Sequence, residues 1–185
     1  QGVSSAASDV YKRQPFDQLV EGLAGLKAPG RRFDLRGTWK GRHIVDDYAH
    51  HPSEVQATLE MARLMVRSGR SPLPTAPQRL LAVFQPHRYS RTRQFLDGFA
   101  KALQNCDLLL LAPVYPAGEQ PLQGISSNAL ADRVRKLKPD LEIAVADNLD
   151  QLTELVIQHS RENDLVLATV SYTHLRARET RGNLV

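Results

Sequence analysis

Two short stretches concentrate the side chains that could do chemistry. The first, IVDDYAHHPSE from Ile44 to Glu54, sets Asp46, Asp47, Tyr48, His50 and His51 directly after two β-branched residues and before a helix-like pattern. The second, FQPHRYSRTR from Phe84 to Arg93, carries His87, Tyr89, Arg88 and Arg91. Guanidinium groups spaced i, i+3 across the expected start of a helix can grip a carboxylate or phosphate bidentately, aided by the helix N-terminus. The pair points to an anion site, with a solvated basic helix start as the alternative. Adjacent residues of an extended strand project to opposite faces. Asp46 and Asp47 therefore suit binding of a hydroxyl or cation by one of them better than a shared acid/base role. His50 and His51 diverge for the same reason, which leaves a metal centre short of converging ligands. For Arg31 and Arg32 a phosphate contact and a solvated turn stand side by side. The chain has no GxxxxGKS/T phosphate loop, no GxGxxG fingerprint and no GxSxG nucleophile elbow. It supplies binding groups and no evident catalytic engine.

These groups need a scaffold that ends several strands along one edge. RRFDLRGTWKGRHIVDDY reads as two extended segments joined by a turn near Thr38 to Gly41, the second delivering Asp46 and Asp47. Pro52 and a Ser53 cap open a helix with Val55, Leu59, Ala62, Leu64 and Val66 as apolar contacts, closed by Gly69. SGRSPLPTAP, Ser68 to Pro77, reads as an exposed loop. LLAVF, Leu80 to Phe84, is apolar throughout, like a strand buried on both faces. A Ser90-capped helix with Phe95, Phe99, Ala102 and Leu103 inward is expected after it. The pattern then recurs: a strand at Asp107 to Ala112 ending in VYPAGE, a helix over Ser126 to Leu137, a strand at Glu142 to Ala146, an Asn148-capped helix and a strand at Asp164 to Val170. Upstream, Phe16, Leu19, Val20, Leu23 and Leu26 share one face of a short helix. Alternating strands and helices predict an α/β fold, a single Rossmann-like domain with a mostly parallel sheet of about five or six strands flanked by helices. Ligands of such sheets bind beyond the carboxyl ends of the strands. DDYAHHP, QPHRYSR and VYPAGE are therefore expected along one edge, with Tyr115 and Glu119 at its rim.

A chain of 185 residues suits one domain with tails. Residues 1–14 and 171–185 show no sustained period and are expected to be non-native or disordered tails on a domain of residues 15–170. Most of the +4 charge sits in those ends, where Lys12, Arg13, Arg176, Arg178 and Arg181 face only Asp9 and Glu179. The body keeps 19 basic and 18 acidic side chains and no basic stripe, which argues against a nucleic-acid partner. No apolar run approaches the roughly 20 residues of a membrane span. A single cysteine, Cys106, excludes an intrachain disulfide and suits a packing role in a cytoplasmic protein.

GRRFDLRG (Gly30 to Gly37), DDYAHHPSEV (Asp46 to Val55), VFQPHRYSRTR (Val83 to Arg93), VYPAGE (Val114 to Glu119) and NDLVL (Asn163 to Leu167), in this order, resemble the C-terminal domain of the Mur ligase family, in its alanine-adding branch. The murein-tripeptide recycling ligases share the aspartate-histidine-proline segment but lack the FQPHRYSRTR pattern. The resemblance implies an ATP-dependent amide ligase of three domains. The first would hold the UDP-sugar, the second the P-loop and Mg2+, and this one would close over them with the amino acid. It implies that Arg32, Asp47 and His51 meet ATP, Arg32 at the phosphates and Asp47 at the ribose. It implies further that Tyr48, His50, Arg88 and Arg91 form the L-alanine pocket, with the arginines on its carboxylate. No catalytic residue or metal ligand is implied for this stretch, UDP-N-acetylmuramate is left to the other two domains, and the fragment is expected to be inactive alone. After NDLVL the family pattern calls for a glycine-rich turn, whereas TVSYTHL follows here. On the residues alone, an autonomous small-anion or nucleotide-binding α/β module stands as the alternative.

Overall fold

Continuous apolar runs can be buried only where both faces of a strand are covered, so Leu80 to Phe84 and Leu108 to Leu111 belong in the middle of a sheet. The computed structural model describes residues 32–69 and 73–169. In it β1 (Asp34–Trp39), β2 (Arg42–Asp46), β3 (Arg79–Phe84), β4 (Leu108–Leu111), β5 (Glu142–Val145) and β6 (Asp164–Thr169) form a six-stranded sheet in the order β1-β2-β6-β3-β4-β5. The hairpin β1–β2 is antiparallel and the remaining pairs are parallel. The helices are α1 (Pro52–Ser68), α2 (Tyr89–Gln94), α3 (Leu96–Leu103), α4 (Ser127–Leu137) and α5 (Leu149–His159). The helix expected over Phe16 to Leu26 lies outside the described residues.

Side chains alternate across each strand. Leu80, Ala82 and Phe84 of β3 join Leu109, Leu111, Leu165 and Leu167 under α1, α3 and α4, while Leu81, Val83, Leu108, Leu110 and Val166 join Leu152 of α5 on the other face. Each such fully buried leucine contributes roughly 1.5–3 kcal/mol. The chain steps from β2 through β3 and β4 to β5 in one direction and then returns to β6. Right-handed crossovers put helices of opposite steps on opposite faces, which is why α5 stands apart. That return inserts β6 between β2 and β3. DDYAHHP and QPHRYSR thus share an edge, as parallel strands require, but they are not neighbours.

Helix starts depart from the sequence expectation in two places. The cap of α1 is His51 and not Ser53: Pro52, lacking an N–H, occupies the first helical position, so the cap is the residue before it, two ahead of Ser53. Ser53 N–H donates to His51 Nδ1 at 3.4 Å and His51 N–H donates to Glu54 Oε2 at 3.1 Å, a reciprocal capping box. Gly69 closes α1 in the left-handed conformation at φ 61°. Leu64, two residues past buried Ala62, points the opposite way and is 66% exposed. The helix expected from Ser90 is instead two, α2 and α3, kinked at Phe95, and it starts from Arg88 with no side-chain cap. The bonds Phe95 N–H to Arg91 O and Phe99 N–H to Phe95 O carry the ladder across the kink at 3.0 and 2.9 Å. Ser126 and Asn148 cap α4 and α5 as expected. The loop after α1 is less exposed than its prolines suggest, since Leu73 and Pro77 are buried.

Candidate functional site

The wall after β2 is largely satisfied from within. Asp46 turns outward to Arg36 at 2.9 Å. Asp47 is buried, and both its oxygens accept backbone N–H groups, Oδ2 from Phe33 and Oδ1 from Ala49, each at 2.7 Å. It clamps the entry to β1 and turns the chain out of β2. Tyr48 is 48% exposed, its ring 4.9 Å from that of His50. His50 Nδ1 lies 2.9 Å from Tyr48 O and 3.5 Å from Glu54 Oε2. Burial alone would raise the Glu54 carboxyl, but the N–H groups and charges of His50 and His51 hold it below its ordinary value. The His51 ring meets the edge of Phe95 at 4.7 Å, and a Cβ at Gly98 would lie only 3.1 Å from Pro52. These contacts seat the start of α1 on the α2–α3 kink. Arg32 is exposed.

The wall after β3 is built differently. Arg88 takes φ 70°, a left-handed conformation that a residue with a side chain holds only when its surroundings impose it. Arg88 N–H donates to Tyr115 O at 2.8 Å, and Thr92 N–H and Oγ donate to Arg88 O at 3.0 and 2.8 Å. Tyr115 N–H returns to Pro86 O at 2.8 Å, and the rings of His87 and Tyr115 lie 5.2 Å apart. QPHRYSR and VYPAGE are thus joined, as adjacency of β3 and β4 predicts. Glu119 accepts Ser90 N–H at 2.9 Å and Ser90 Oγ–H at 2.6 Å. The Arg88 side chain is 48% exposed, and its Nη1 lies 3.8 Å from Glu119 Oε1. Arg91 is half-buried and has no side-chain hydrogen bond or ion pair among the described residues.

Between the walls runs the end of β6, where Asp47 N–H donates to Ala168 O at 3.0 Å and Gln85 N–H to Thr169 O at 3.2 Å. His87 is the group that feels both sides. Burial, then the charges of Arg91, Arg88 and His50, push its pKa below the ordinary 6.5, with Glu119 opposing, and its buried Nδ1 has no hydrogen-bond partner among the described residues. The edge therefore presents cations around a neutral imidazole, a setting for a small anion. Tyr48, His50, Arg88 and Arg91 line this edge. Asp47 and His51 carry internal bonds, which leaves only their remaining lone pairs or ring nitrogen for a ligand. Two features escaped sequence reasoning. The His51 cap was signalled by Glu54 three residues on, with histidine in the usual place of serine or threonine. The Ser90–Glu119 tie joins residues 29 apart and had no local signal.

A family model described as Mur ligase, glutamate ligase domain, matches residues 31–171. The UDP-N-acetylmuramate–L-alanine ligase of Synechococcus sp. (strain CC9605) is 97% identical over 154 residues, 83% of this chain and 33% of that protein. Among solved structures, a murein peptide ligase from Psychrobacter arcticus 273-4 superposes with TM-score 0.65 at 22% identity, over 89% of this chain and 32% of that one. A UDP-N-acetylmuramate–alanine ligase from Thermotoga maritima gives 0.62 at 23% identity, over 89% and 34%. These two show the fold. The chain spans about a third of the length of the relatives it matches. A family match that runs from before β1 to beyond β6, on this sheet order, makes the chain a member of the Mur ligase family.

Proposed function

We propose that this chain is the C-terminal domain of an ATP-dependent ligase that joins L-alanine to UDP-N-acetylmuramate in peptidoglycan synthesis, and that its part is to hold the amino acid. The observation that carries this reading is the Arg88–Arg91 pair, anchored by the backbone yet left open to an anion. The name borne by the 97% identical relative supports the choice of substrate. In the proposed reaction the muramoyl carboxylate takes the γ-phosphoryl group of ATP, releasing ADP and forming an acyl phosphate, and the alanine nitrogen attacks the carbonyl carbon, expelling phosphate and losing a proton. Arg88 and Arg91 neutralise the alanine carboxylate and fix its direction, with Tyr48 and His50 as the facing wall. Arg32, Asp47 and His51 stand toward ATP. The family resemblance assigns the P-loop, the main Mg2+ ligands and the UDP-sugar site to the parts of the full-length protein outside this chain. Residues 15–170 are taken as the domain and the flanks as tails. The enzyme is assigned to the cytoplasm because its proposed substrates, ATP and a UDP-sugar, are cytoplasmic metabolites; separately, no helix among the described residues is long and apolar enough to cross a membrane.

A second reading puts a murein peptide in place of alanine, and the name of the 97% identical relative weighs against it. The test is steady-state kinetics of the full-length ligase with each amine donor or peptide. Arg88→Ala should raise the KM for L-alanine roughly 10- to 100-fold, the ~1.5–3 kcal/mol of a charged hydrogen bond, with the KM for ATP little changed. An unchanged alanine KM removes the assignment, and turnover with murein tripeptide but not alanine installs the second reading.

A further inference from the structure

We infer that Glu119 is the positioning residue of the arginine pair, fixing through Ser90 and Arg88 the geometry in which the two guanidinium groups meet a substrate carboxylate. The inference rests on the proposed function and deepens it. α2 begins without a side-chain cap of its own, from a residue at φ 70°. Glu119 supplies from another loop what a cap would supply locally, accepting the Ser90 N–H at 2.9 Å and the Ser90 hydroxyl at 2.6 Å. The loop that carries it turns through Ala117 at φ 49° and Gly118 at φ 87°, and it is tied again where Arg88 N–H donates to Tyr115 O. Two anchors thus bracket Arg88, one on its own amide and one two residues on, and Arg91 follows in the same short helix. Hydrogen bonds from the Ser90 hydroxyl and amide hold the Glu119 carboxyl below its ordinary value, so it is charged at neutral pH. At 3.8 Å from Arg88 Nη1 it is too distant for a hydrogen bond, so it steers the guanidinium without occupying its donors.

A carboxylate beside an anion site could instead compete with the substrate, and the two roles predict opposite signs. In the full-length ligase, Glu119→Ala should raise the alanine KM roughly 5- to 20-fold, with kcat and the ATP KM within about twofold. Glu119→Gln can accept the Ser90 N–H through its amide oxygen and donate to Ser90 Oγ, so it should stay within roughly threefold of wild type. Adding Glu119→Ala to Arg88→Ala should cost at most about twofold more than Arg88→Ala alone, because both act on one contact. Ser90→Ala, which deletes one of the two bonds, should raise the alanine KM by roughly two- to fivefold and gives an answer even where Glu119→Ala does not fold. An alanine KM that is unchanged or lower in the Glu119 and Ser90 alanine variants overturns the inference. So does a Gln variant as impaired as Ala, or a loss spread equally over kcat and both KM values. A wild-type enzyme that does not saturate with L-alanine would fell the proposed function itself, a distinct result from an unaffected Glu119→Ala.

Discussion

Arg79 opens β3 and Arg88 follows its end, so one strand carries an arginine to each edge of the sheet. Arg79 donates from Nε and Nη2 to Asp164 at 3.0 and 2.7 Å and from Nη2 to His159 O at 2.6 Å. On the same edge Arg42 donates to Ser160 Oγ and O at 2.7 Å each, and Arg63 Nη1 reaches both oxygens of Asp107 at 2.9 and 2.8 Å. Burial alone would raise the Asp107 carboxyl, but Arg63 and the Leu80 N–H outweigh it and hold it below its ordinary value. At the opposite edge, among the described residues, Arg88 has only Glu119 at 3.8 Å and Arg91 has no ion pair. The backbone around Arg88 is nonetheless held, its N–H donating to Tyr115 O at 2.8 Å and its carbonyl accepting from Thr92 N–H at 3.0 Å. A rigid main chain beneath guanidinium groups that make no side-chain hydrogen bond among the described residues is the arrangement of a site that awaits a ligand, whereas hydrogen-bonded charge pairs at strand starts serve the fold.

The comparison breaks first at Arg79. The Asp164 side chain is only 3% exposed, so Arg79→Ala leaves a buried carboxylate without its countercharge, with the Arg161 N–H still donating to it, and should cost ~3–5 kcal/mol in denaturant unfolding. A loss below about 1 kcal/mol would mean that the closed edge is not held by its charges. Arg88→Ala should do the reverse. Its stability should change by less than ~1 kcal/mol, as exposed pairs do, while the alanine KM carries the loss described above. If Arg79→Ala folds yet shifts the alanine KM as much as Arg88→Ala does, the division between edges fails.

A smaller effect separates the two walls of the open edge. Glu54 holds the N–H groups of His50 and His51, so Glu54→Ala should remove ~1 kcal/mol from α1 by loss of the capping box, measured by thermal or denaturant melting. Because His50 is released by the same change, alanine affinity should fall with it by roughly two- to fivefold, the share of one weak contact. Loss of stability with no change in affinity would confine His50 to the scaffold.

How much of this was legible beforehand follows from the range over which each signal acts. Leu80 to Phe84 and Leu108 to Leu111 announced central strands because their burial is a property of the run itself, and Ser126 and Asn148 announced helix starts because their bonds are local. The family resemblance and the parallel sheet were readable on the same footing. What could not be read was the insertion of β6, since an unfolded sequence does not show where a last strand returns. Nor could it show that His51 would be engaged in capping, that Phe95 would kink a helix to meet it, or that Ser90 would turn from a cap into a donor for Glu119. Each of these depends on partners that only the folded chain brings together.

The gentlest probe of the open edge is His87. Its folded pKa lies below the ordinary 6.5, so below that pH the unfolded chain takes up a proton that the folded protein resists. Stability should therefore fall as pH drops from about 6.5 toward the folded value, and His87→Gln should flatten that part of the acid limb. Burial is the larger cause and Arg91 the next, so Arg91→Ala should move the His87 titration only part of the way back upward, as read from its imidazole protons by NMR. An anion bound across Arg88 and Arg91 should move it in the same direction, by cancelling the charges that depress it. Arg63→Ala, on the closed edge, should leave it where it is. If Arg91→Ala and Arg63→Ala shift His87 alike, the cations of the open edge are not acting on a common site, and the contrast between the two ends of the sheet loses its electrostatic basis.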